Sequence, residues 1–229
     1  MRKKLQNNES IDERVMRKEV AAILSDTYSR NITWHESCIS KKDREMKSVH
    51  KAACIWFTGL PCSGKSTIAV ELQKYLFKMG CRVFVLDGDN IRHGLNKDLG
   101  FSPEDREENI RRISEVAKLF TEAGFLVITA FISPYKKDRD RARSIFGSGG
   151  FIECFVKADL SSCEKRDTKG LYKKAKVGEI KEFTGISAPY EEPEHPELII
   201  DTVNHTKQEN AGVVLNYLSE NGYIQKELR

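Results

Sequence analysis

The chain has 229 residues, of which 39% are apolar and 31% are charged, so it can bury one sizeable core. Its formal net charge is +4, with 11 Lys and Arg against 8 Asp and Glu in residues 1–50 and 27 against 26 in the remainder. This balance gives no global basic field and argues against a nucleic-acid partner.

The N-terminal part of the chain differs in character from the rest. Residues 1–30 are charged and polar, and we interpret them as an extension with one short amphipathic stretch at 11–24. A solvated helix is predicted over 41–51. No Pro-, Gly- or Ser-rich linker interrupts residues 31–229, which are predicted to form a single domain.

A strand, a loop and a helix are predicted in succession between residues 52 and 79. The apolar run 52–57 is typical of a strand, and apolar residues at Ile68, Leu72 and Leu76 have helical spacing. The intervening sequence has the pattern of a phosphate-binding loop. The residues predicted to bind ATP are Gly59, Leu60, Pro61, Cys62, Ser63, Gly64, Lys65, Ser66 and Thr67.

This loop carries the chemistry needed to hold a polyphosphate. Gly59 and Gly64 let the backbone bend, and its N–H groups and the helix N-terminus face anionic oxygens. Lys65 can reach the β- and γ-phosphates, and the Ser66 hydroxyl is a ligand for Mg²⁺. A surface turn is the alternative, but the flanking strand and helix favour the functional interpretation. Cys62 has surroundings that favour a thiolate, with a buried, unreactive thiol as the alternative.

Strand and helix patterns alternate through the rest of the chain. Further strands are predicted at 82–86, 125–132, 151–156 and 197–200. Helices are predicted at 109–123, from about 136, at 161–166 with a serine cap, and at 206–220. The order predicts an α/β protein, a three-layer P-loop NTPase-like fold whose parallel, doubly wound sheet has flanking helices. Ligands of such sheets lie beyond the carboxyl ends of the strands.

Two carboxylates follow the second predicted strand. Asp87 and Asp89 can order Mg²⁺ or accept a proton from an attacking hydroxyl, as phosphoryl transfer requires. The same Asp-Gly-Asp-Asn sequence is also good turn chemistry. The strand context favours function, without deciding which carboxylate has which task.

Two later segments have the composition of an anion-binding site. Residues 92–112 combine Arg92, Phe101, Arg106 and Asn109 with acidic neighbours, which suits an anionic, aromatic substrate or a salt-bridged helix surface. Residues 165–181 contain seven basic side chains and are predicted to form a basic lid that closes over phosphates. A solvated run of lysines is the alternative for about half of them.

The cysteines and apolar runs bear on location. None of the six cysteines has paired C-x-x-C spacing, and the N-terminus lacks the apolar core of a signal peptide, so we expect a cytoplasmic protein. The apolar run 125–132 is too short to span a bilayer, and no membrane association is predicted.

Several ordered motifs resemble adenylyl-sulfate kinase, and the match runs from about residue 31 to the C-terminus. They are Gly59–Thr67, Leu86–Asn96, Leu99–Ser102, Asp105–Arg112, Phe131–Pro134, Lys169–Ala175 and Phe183–Gly185. The resemblance implies that ATP, with Mg²⁺, phosphorylates the ribose 3′-hydroxyl of adenylyl sulfate (APS). The products would be 3′-phosphoadenylyl sulfate (PAPS) and ADP, in sulfate assimilation. It also implies a homodimer.

The resemblance also implies roles for individual residues. Lys65 and Ser66 would bind ATP and Mg²⁺, and Asp87 and Asp89 would order Mg²⁺ and the 3′-hydroxyl. Ser133 corresponds to a phosphoserine position of bacterial relatives, although two nucleotides bound in line need no covalent relay. The implied APS pocket consists of Asp89, Arg92, Phe101, Arg106, Asn109, Ile132, Ser133, Lys169 and Phe183.

Two other functions remain open from the residues. Another small P-loop metabolite kinase would lack the combination of residues 87–92 with 169–174, and a nucleotide-gated regulator without catalysis would have lost its carboxylates and lid. ADP release with a panel of acceptors would separate these alternatives.

Overall fold

The computed structural model describes Thr33 and residues 35–225. Contacts divide the chain into two units, Met1–Ile39 and Ser40–Arg229. Of the first unit, the described residues form no helix or strand. The amphipathic stretch predicted at 11–24 lies outside the described residues, and the predicted domain boundary after residue 30 stays a prediction.

The second unit alternates strands and helices along the chain. The strands are β1 (Ala53–Thr58), β2 (Val83–Asp87), β3 (Leu126–Ala130), β4 (Phe151–Lys157) and β5 (Leu198–Asp201). The helices are α1 (Lys41–Met46), α2 (Lys65–Lys78), α3 (Gly88–Arg92), α4 (Pro103–Glu122), α5 (Lys136–Ser144), α6 (Leu160–Lys165), α7 (Leu171–Lys176) and α8 (Lys207–Glu220).

The five strands form one parallel sheet in the order β2-β3-β1-β4-β5. Side chains of β1 alternate between two cores, as strand geometry requires. Ile55 and Phe57 face helices α2 and α8, whereas Cys54 and Trp56 face α4 and α5. Helices therefore cover both faces, and the predicted three-layer, doubly wound fold is confirmed.

Helix starts account for most differences from the predicted elements. Helix α4 begins at Pro103, six residues before the predicted start, because Ser102 caps it by accepting from the Asp105 N–H at 3.1 Å. Helix α6 is capped by Asp159, which accepts from the Ser162 N–H at 2.9 Å, so the predicted serine cap was wrong. Helix α1 ends at Met46 and is shorter than predicted.

The carboxyl ends of β1, β2 and β3 meet at one edge of the sheet, because these strands are parallel neighbours. The phosphate loop follows β1, Asp87 ends β2, and the turn 131–135 follows β3. The fold therefore gathers the predicted site residues at this edge. No helix in the described part of the chain is long and apolar enough to cross a membrane.

Candidate active site

The phosphate loop depends on two glycines for its shape. A Cβ atom on Gly59 would lie 2.5 Å from the carbonyl oxygen of Val156, which is too close for any side chain. Gly64 has a φ of 100° where the loop turns into α2. The first turn of α2, which follows Gly64, is the positive end of that helix and suits an anion.

Lys65 is the first residue of α2, and its side chain is buried inside the loop. Its Nζ atom donates to the carbonyl oxygens of Gly59 at 3.0 Å and Leu60 at 2.7 Å. Burial lowers the pKa of Lys65 to about 8. The ammonium group is thus held by neutral carbonyls where phosphate oxygens could replace them as partners.

Asp87 links the loop to the end of β2. Its Oδ2 accepts from the Ser66 hydroxyl at 2.6 Å, and its Oδ1 accepts from the Asp89 N–H at 3.0 Å. The second bond caps the short helix α3, so the turn chemistry predicted as an alternative is present together with the loop contact. Asp87 therefore orients both Ser66 and the start of α3.

Asp89 is placed differently from Asp87, although both belong to the same turn. Its carboxylate is 74% exposed and forms an ion pair with Lys169, at 2.7 Å between Oδ2 and Nζ. The Lys169 side chain is 66% exposed. The pair joins the β2 end to the basic lid across open solvent, where an ion pair stabilises only weakly.

The acceptor-side wall of the site consists of Phe101 and the residues around it. Phe101 lies between two arginines of this wall. The guanidinium carbon of Arg92 lies 4.3 Å from the centre of its ring and that of Arg106 lies 5.7 Å away. Arg92 donates to the carbonyls of Leu99 and Gly100 at 2.9 and 3.0 Å. The Phe101 side chain is nevertheless 60% exposed, so part of the ring is open to a ligand.

Two further groups fix this wall. Arg106 donates from Nε to the carbonyl oxygen of Phe101 at 3.0 Å and from Nη2 to that of Glu182 at 2.8 Å. Burial lowers the pKa of Arg106. The Asn109 Oδ1 atom accepts from the buried Asn96 amide at 2.8 Å. Asn96 lies in the motif 86–96, but its role as a support for Asn109 could not be deduced from the sequence.

Ser133 faces inward rather than toward solvent. It is 1% exposed, and its hydroxyl oxygen accepts from the Trp56 indole N–H at 3.1 Å. The preceding carbonyl, of Ile132, accepts from the Thr58 hydroxyl at 2.8 Å. Trp56 lies in the apolar run 52–57 that was predicted as a strand and Thr58 follows that run, yet both support this turn.

The basic lid is anchored to the phosphate loop by a small apolar cluster. The Tyr172 ring meets the Phe183 ring edge-on at 4.9 Å, and its hydroxyl donates to the carbonyl oxygen of Pro61 at 2.9 Å. Cys163 and Ala175 complete the buried part of the cluster. The lid is thus helical and packed at its base rather than a uniformly solvated run.

Cys62 packs against this cluster, and the expectation of a reactive thiolate was wrong. Burial raises the pKa of the Cys62 thiol, and the nearby Asp167 carboxylate acts in the same direction. Lys65 opposes this effect but does not overcome it. The alternative of a protonated, largely unreactive thiol is favoured.

These residues line one cleft of about 510 Å³. The predicted residues that line it are Pro61, Cys62, Lys65, Ser66, Asp87, Asp89, Arg92, Phe101, Arg106, Asn109, Ile132, Ser133, Lys169 and Phe183. The others, Gly59, Leu60, Ser63, Gly64 and Thr67, belong to the phosphate loop but do not line the cleft. Asp167 and Thr168 also line it and were not singled out in the sequence, while Leu171 and Thr184 line it and belong to the motifs 169–175 and 183–185.

Backbone strain is concentrated around the cleft. Among the described residues, the non-glycine residues with positive φ are Cys62 at 59°, Ser133 at 40° and Glu182 at 54°. Cys62 and Ser133 line the cleft, and the Glu182 carbonyl binds Arg106. Such conformations persist where surrounding contacts hold them.

Comparison with a family model and with curated relatives identifies the same family. The family model for adenylylsulphate kinase matches residues 51–201. Adenylyl-sulfate kinases of Staphylococcus epidermidis and Staphylococcus carnosus are 59% and 56% identical over 196 residues, covering 86% of this chain and 98% of each relative.

Solved structures agree with the sequence comparison. A Mycobacterium tuberculosis APS kinase, solved in complex with AMPPNP and APS, is 45% identical, with a TM-score of 0.71. The match covers 74% of this chain and 99% of that one. A hexameric APS kinase from Thiobacillus denitrificans is 29% identical with a TM-score of 0.61, and the match covers 98% of this chain and 36% of that one. The resemblance found in the sequence motifs is therefore confirmed, and the chain belongs to the adenylylsulphate kinase family.

Proposed function

We propose that this protein transfers the γ-phosphoryl group of ATP to the ribose 3′-hydroxyl of adenylyl sulfate, giving 3′-phosphoadenylyl sulfate and ADP. The main supporting observation is that one cleft is lined by Lys65 and Ser66 of the phosphate loop, by Asp89 and by Phe101. Membership of the adenylylsulphate kinase family supports the same reaction.

The donor nucleotide would bind at the phosphate loop. Its β- and γ-phosphates would face the N–H groups at the start of α2, which form an anion site together with the helix dipole. Lys65 would exchange its carbonyl partners for phosphate oxygens. Its burial makes that exchange favourable, because a buried ammonium gains more from a charged partner than from neutral carbonyls.

The residues present fit a magnesium ion accompanying ATP. The Ser66 hydroxyl and the Asp87 carboxylate lie 2.6 Å apart at the mouth of the loop, and oxygen ligands of this kind are those that Mg²⁺ prefers. Ser66 and Asp87 would hold the ion, with Asp89 nearby. When bound, Mg²⁺ neutralises charge that develops on the phosphate oxygens.

The acceptor would bind on the opposite wall. The open part of the Phe101 ring suits stacking by adenine, and Arg92 and Arg106 suit the phosphate and sulfate oxygens. Each guanidinium has five N–H donors, so those not bonded to backbone carbonyls can serve an anion. The remaining wall consists of Asn109, Ile132, Ser133, Lys169 and Phe183.

Asp89 would act as the general base toward the 3′-hydroxyl. Because its carboxylate is paired with Lys169, that ion pair must open or shift as the acceptor enters. Lys169 would then be available for the acceptor anion. Ser133 is assigned to the pocket wall, since its hydroxyl faces Trp56 and is 1% exposed, which supports direct transfer without a phosphoserine.

We also propose the domain bounds, the cellular location and the oligomeric state of the protein. We assign the kinase to residues 31–229 and expect a cytoplasmic homodimer. All six cysteines are free thiols, which suits a reducing compartment. Light scattering during size-exclusion chromatography would test the dimer, and a monomeric mass would contradict it.

The experiment that tests the activity is ADP release with separate acceptors. Purified protein is given ATP and Mg²⁺ with adenylyl sulfate, AMP, shikimate or no acceptor, and the product is identified by mass. We expect ADP and the 3′-phosphorylated product with adenylyl sulfate alone. Turnover only with another acceptor would favour a different small-metabolite kinase, and ATP binding without any turnover would favour a regulator.

A further inference from the structure

The turn after β3 is held in a backbone conformation that its sequence does not favour. Ser133 has a φ of 40°, in the left-handed region that non-glycine residues rarely adopt. Ser133 also lines the cleft. Something outside the turn must therefore stabilise it, and the contacts of the Ser133 carbonyl show what does.

That carbonyl accepts from Arg139 Nη1 at 2.8 Å and, at the longer distance of 3.3 Å, from the Thr58 hydroxyl. The same guanidinium donates from Nη2 to the Glu191 carbonyl at 2.7 Å and from Nε to the Glu153 carboxylate at 2.9 Å. The planar guanidinium of Arg139 thus bonds to Ser133, Glu153 and Glu191, which lie in three different parts of the chain. The Arg139 side chain is 2% exposed, so these bonds form away from water.

Glu153 supplies the charge that allows Arg139 to be buried. Its side chain is 10% exposed and lies on β4, an interior strand of the sheet between β1 and β5. It also accepts from Arg143 Nη2 at 3.2 Å, and Arg143 pairs in turn with Glu197. Arg139 alone of these two arginines contacts the turn, while both contact the same carboxylate.

Segment 190–191 closes the arrangement from the other side. The Glu191 N–H donates to the Pro134 carbonyl at 2.9 Å, and its carboxylate accepts from the Lys136 N–H at 2.5 Å. The Tyr190 hydroxyl lies 3.0 Å from the Thr58 hydroxyl, which itself holds the Ile132 carbonyl. The turn is therefore fixed on both sides of Ser133.

We propose that Arg139, paired with Glu153, is a positioning residue that holds Ile132 and Ser133 in place as the acceptor-side wall of the cleft. The proposal rests on the proposed function. Arg139 touches neither nucleotide site directly and acts through the Ser133 carbonyl. The proposal predicts that a change in the Arg139 guanidinium weakens the use of adenylyl sulfate and leaves ATP binding at the phosphate loop intact.

Arg139→Lys is the first variant, because lysine keeps the charge opposite Glu153 but lacks the planar fork needed to hold three partners. We expect kcat/KM for adenylyl sulfate to fall about 10- to 100-fold, with the KM for ATP changed by less than about twofold. Arg143→Lys is the matched control. It disturbs the same carboxylate without touching the turn, so kcat/KM for adenylyl sulfate should stay near that of the wild type.

A spectroscopic readout tests the positioning independently of activity. The chain has two tryptophans, so Trp34→Phe leaves Trp56 as the sole indole, and its N–H donates to Ser133. Ser133→Ala in that background gives the emission expected when this bond is lost. Arg139→Lys should shift the emission toward the Ser133→Ala value, whereas Arg143→Lys should not.

Several outcomes decide the matter. Equal losses in both arginine variants, or an equal rise in the KM for ATP, would show that the network acts only through general stability and would overturn the proposal. An unchanged Trp56 emission in Arg139→Lys would also overturn it. If Arg139→Lys does not fold, the Arg139→Gln/Glu153→Gln double variant removes both charges and receives the same measurements. If the wild type does not phosphorylate adenylyl sulfate, the proposed function fails while the Trp56 comparison still tests the positioning.

Discussion

The two walls of the cleft differ in how far their polar groups are already engaged. At the phosphate loop, Lys65 is 8% exposed and bonded to backbone carbonyls of its own loop. On the acceptor side, Phe101 is 60% exposed and the Asp89 and Lys169 side chains are 74% and 66% exposed. The buried cation of the phosphate loop is therefore already in place, whereas the Asp89–Lys169 pair and the Phe101 ring on the acceptor side are exposed to water.

This difference has a consequence for catalysis. Asp89, the carboxylate proposed as the base, is exposed, and water screens its ion pair with Lys169. In the proposed reaction this carboxylate accepts the proton of the 3′-hydroxyl after its bond to Lys169 opens or shifts.

The largest expected effect comes from removing the charge of Asp89, the proposed general base. Asp89→Asn should lower kcat by roughly 10²- to 10⁴-fold, because the 3′-hydroxyl loses its proton acceptor. Binding of both nucleotides, measured by calorimetry, should be largely kept. Asp87→Asn is the control for position and should instead raise the Mg²⁺ concentration needed for half-maximal rate. Near-normal turnover of Asp89→Asn would show that the base is assigned to the wrong carboxylate.

The second effect concerns acceptor choice on the same wall. AMP lacks the sulfate and would leave part of the arginine surface unpaired, at a cost of about 1–3 kcal/mol, or roughly 5- to 150-fold, for each missing charged contact. Arg106→Lys should likewise reduce kcat/KM for adenylyl sulfate much more than for ATP, and Phe101→Ala should raise the acceptor KM. Steady-state kinetics with each nucleotide varied separately give the answer. Equal kcat/KM for AMP and adenylyl sulfate would contradict the acceptor assignment.

A third test concerns Lys65, the buried cation of the phosphate loop. In the free protein, burial lowers the pKa of Lys65 to about 8, and bound phosphates should raise it. Above pH 8 the free protein has lost this proton and ATP binding must take one up. Affinity should therefore fall by up to about tenfold per pH unit above 8.

Calorimetry in buffers of different ionisation enthalpy measures the proton taken up. Lys65→Met is the matched control, and it should show weaker binding without this pH dependence. Proton uptake that is the same in Lys65→Met would mean that another group titrates.

The smallest effect lies away from the cleft and concerns stability. His50 is buried, with Nδ1–H donating to the Lys51 carbonyl and Nε2 accepting from the Arg82 N–H at 2.9 Å, an arrangement that requires the neutral ring. Burial lowers the pKa of His50 below its usual value of 6.5. The unfolded chain therefore binds the proton more readily, so stability is complete above about pH 6.5 and is lost as the pH falls through the folded pKa.

His50→Gln gives the comparison, since its side-chain amide does not titrate. Urea unfolding from pH 7.5 to 5 should show a steeper loss in the wild type than in this variant, of the order of one hydrogen bond, about 1 kcal/mol. Parallel curves would contradict the role of His50. The phosphate-loop chemistry should be unaffected in either case.

The parts of the molecule that were predictable are those with local signals. The strand, loop and helix around Lys65 follow from apolar runs and glycine spacing, and the doubly wound fold follows from alternation. The start of α4 was missed because residues 103–108 show no apolar period, although Ser102 and Pro103 are capping signals. A rule based on caps would have found it.

The supporting residues of the site were not predictable for a different reason. Arg139 lies in a segment rich in charge that is indistinguishable by sequence from a solvated helix, and only the register of α5 against β4 buries it beside Glu153. Asn96 and Tyr190 depend in the same way on contacts between distant parts of the chain. Such tertiary pairings carry no local pattern.

The left-handed residues around the cleft have a consequence for protein engineering. Cys62, Ser133 and Glu182 all adopt φ values that glycine or asparagine adopt more easily. A selection for thermal tolerance alone would favour those replacements, because they relieve local strain. Because these three residues belong to the phosphate loop, the turn after β3 and the segment that binds Arg106, any such gain in stability has to be weighed against activity measured on the same variant.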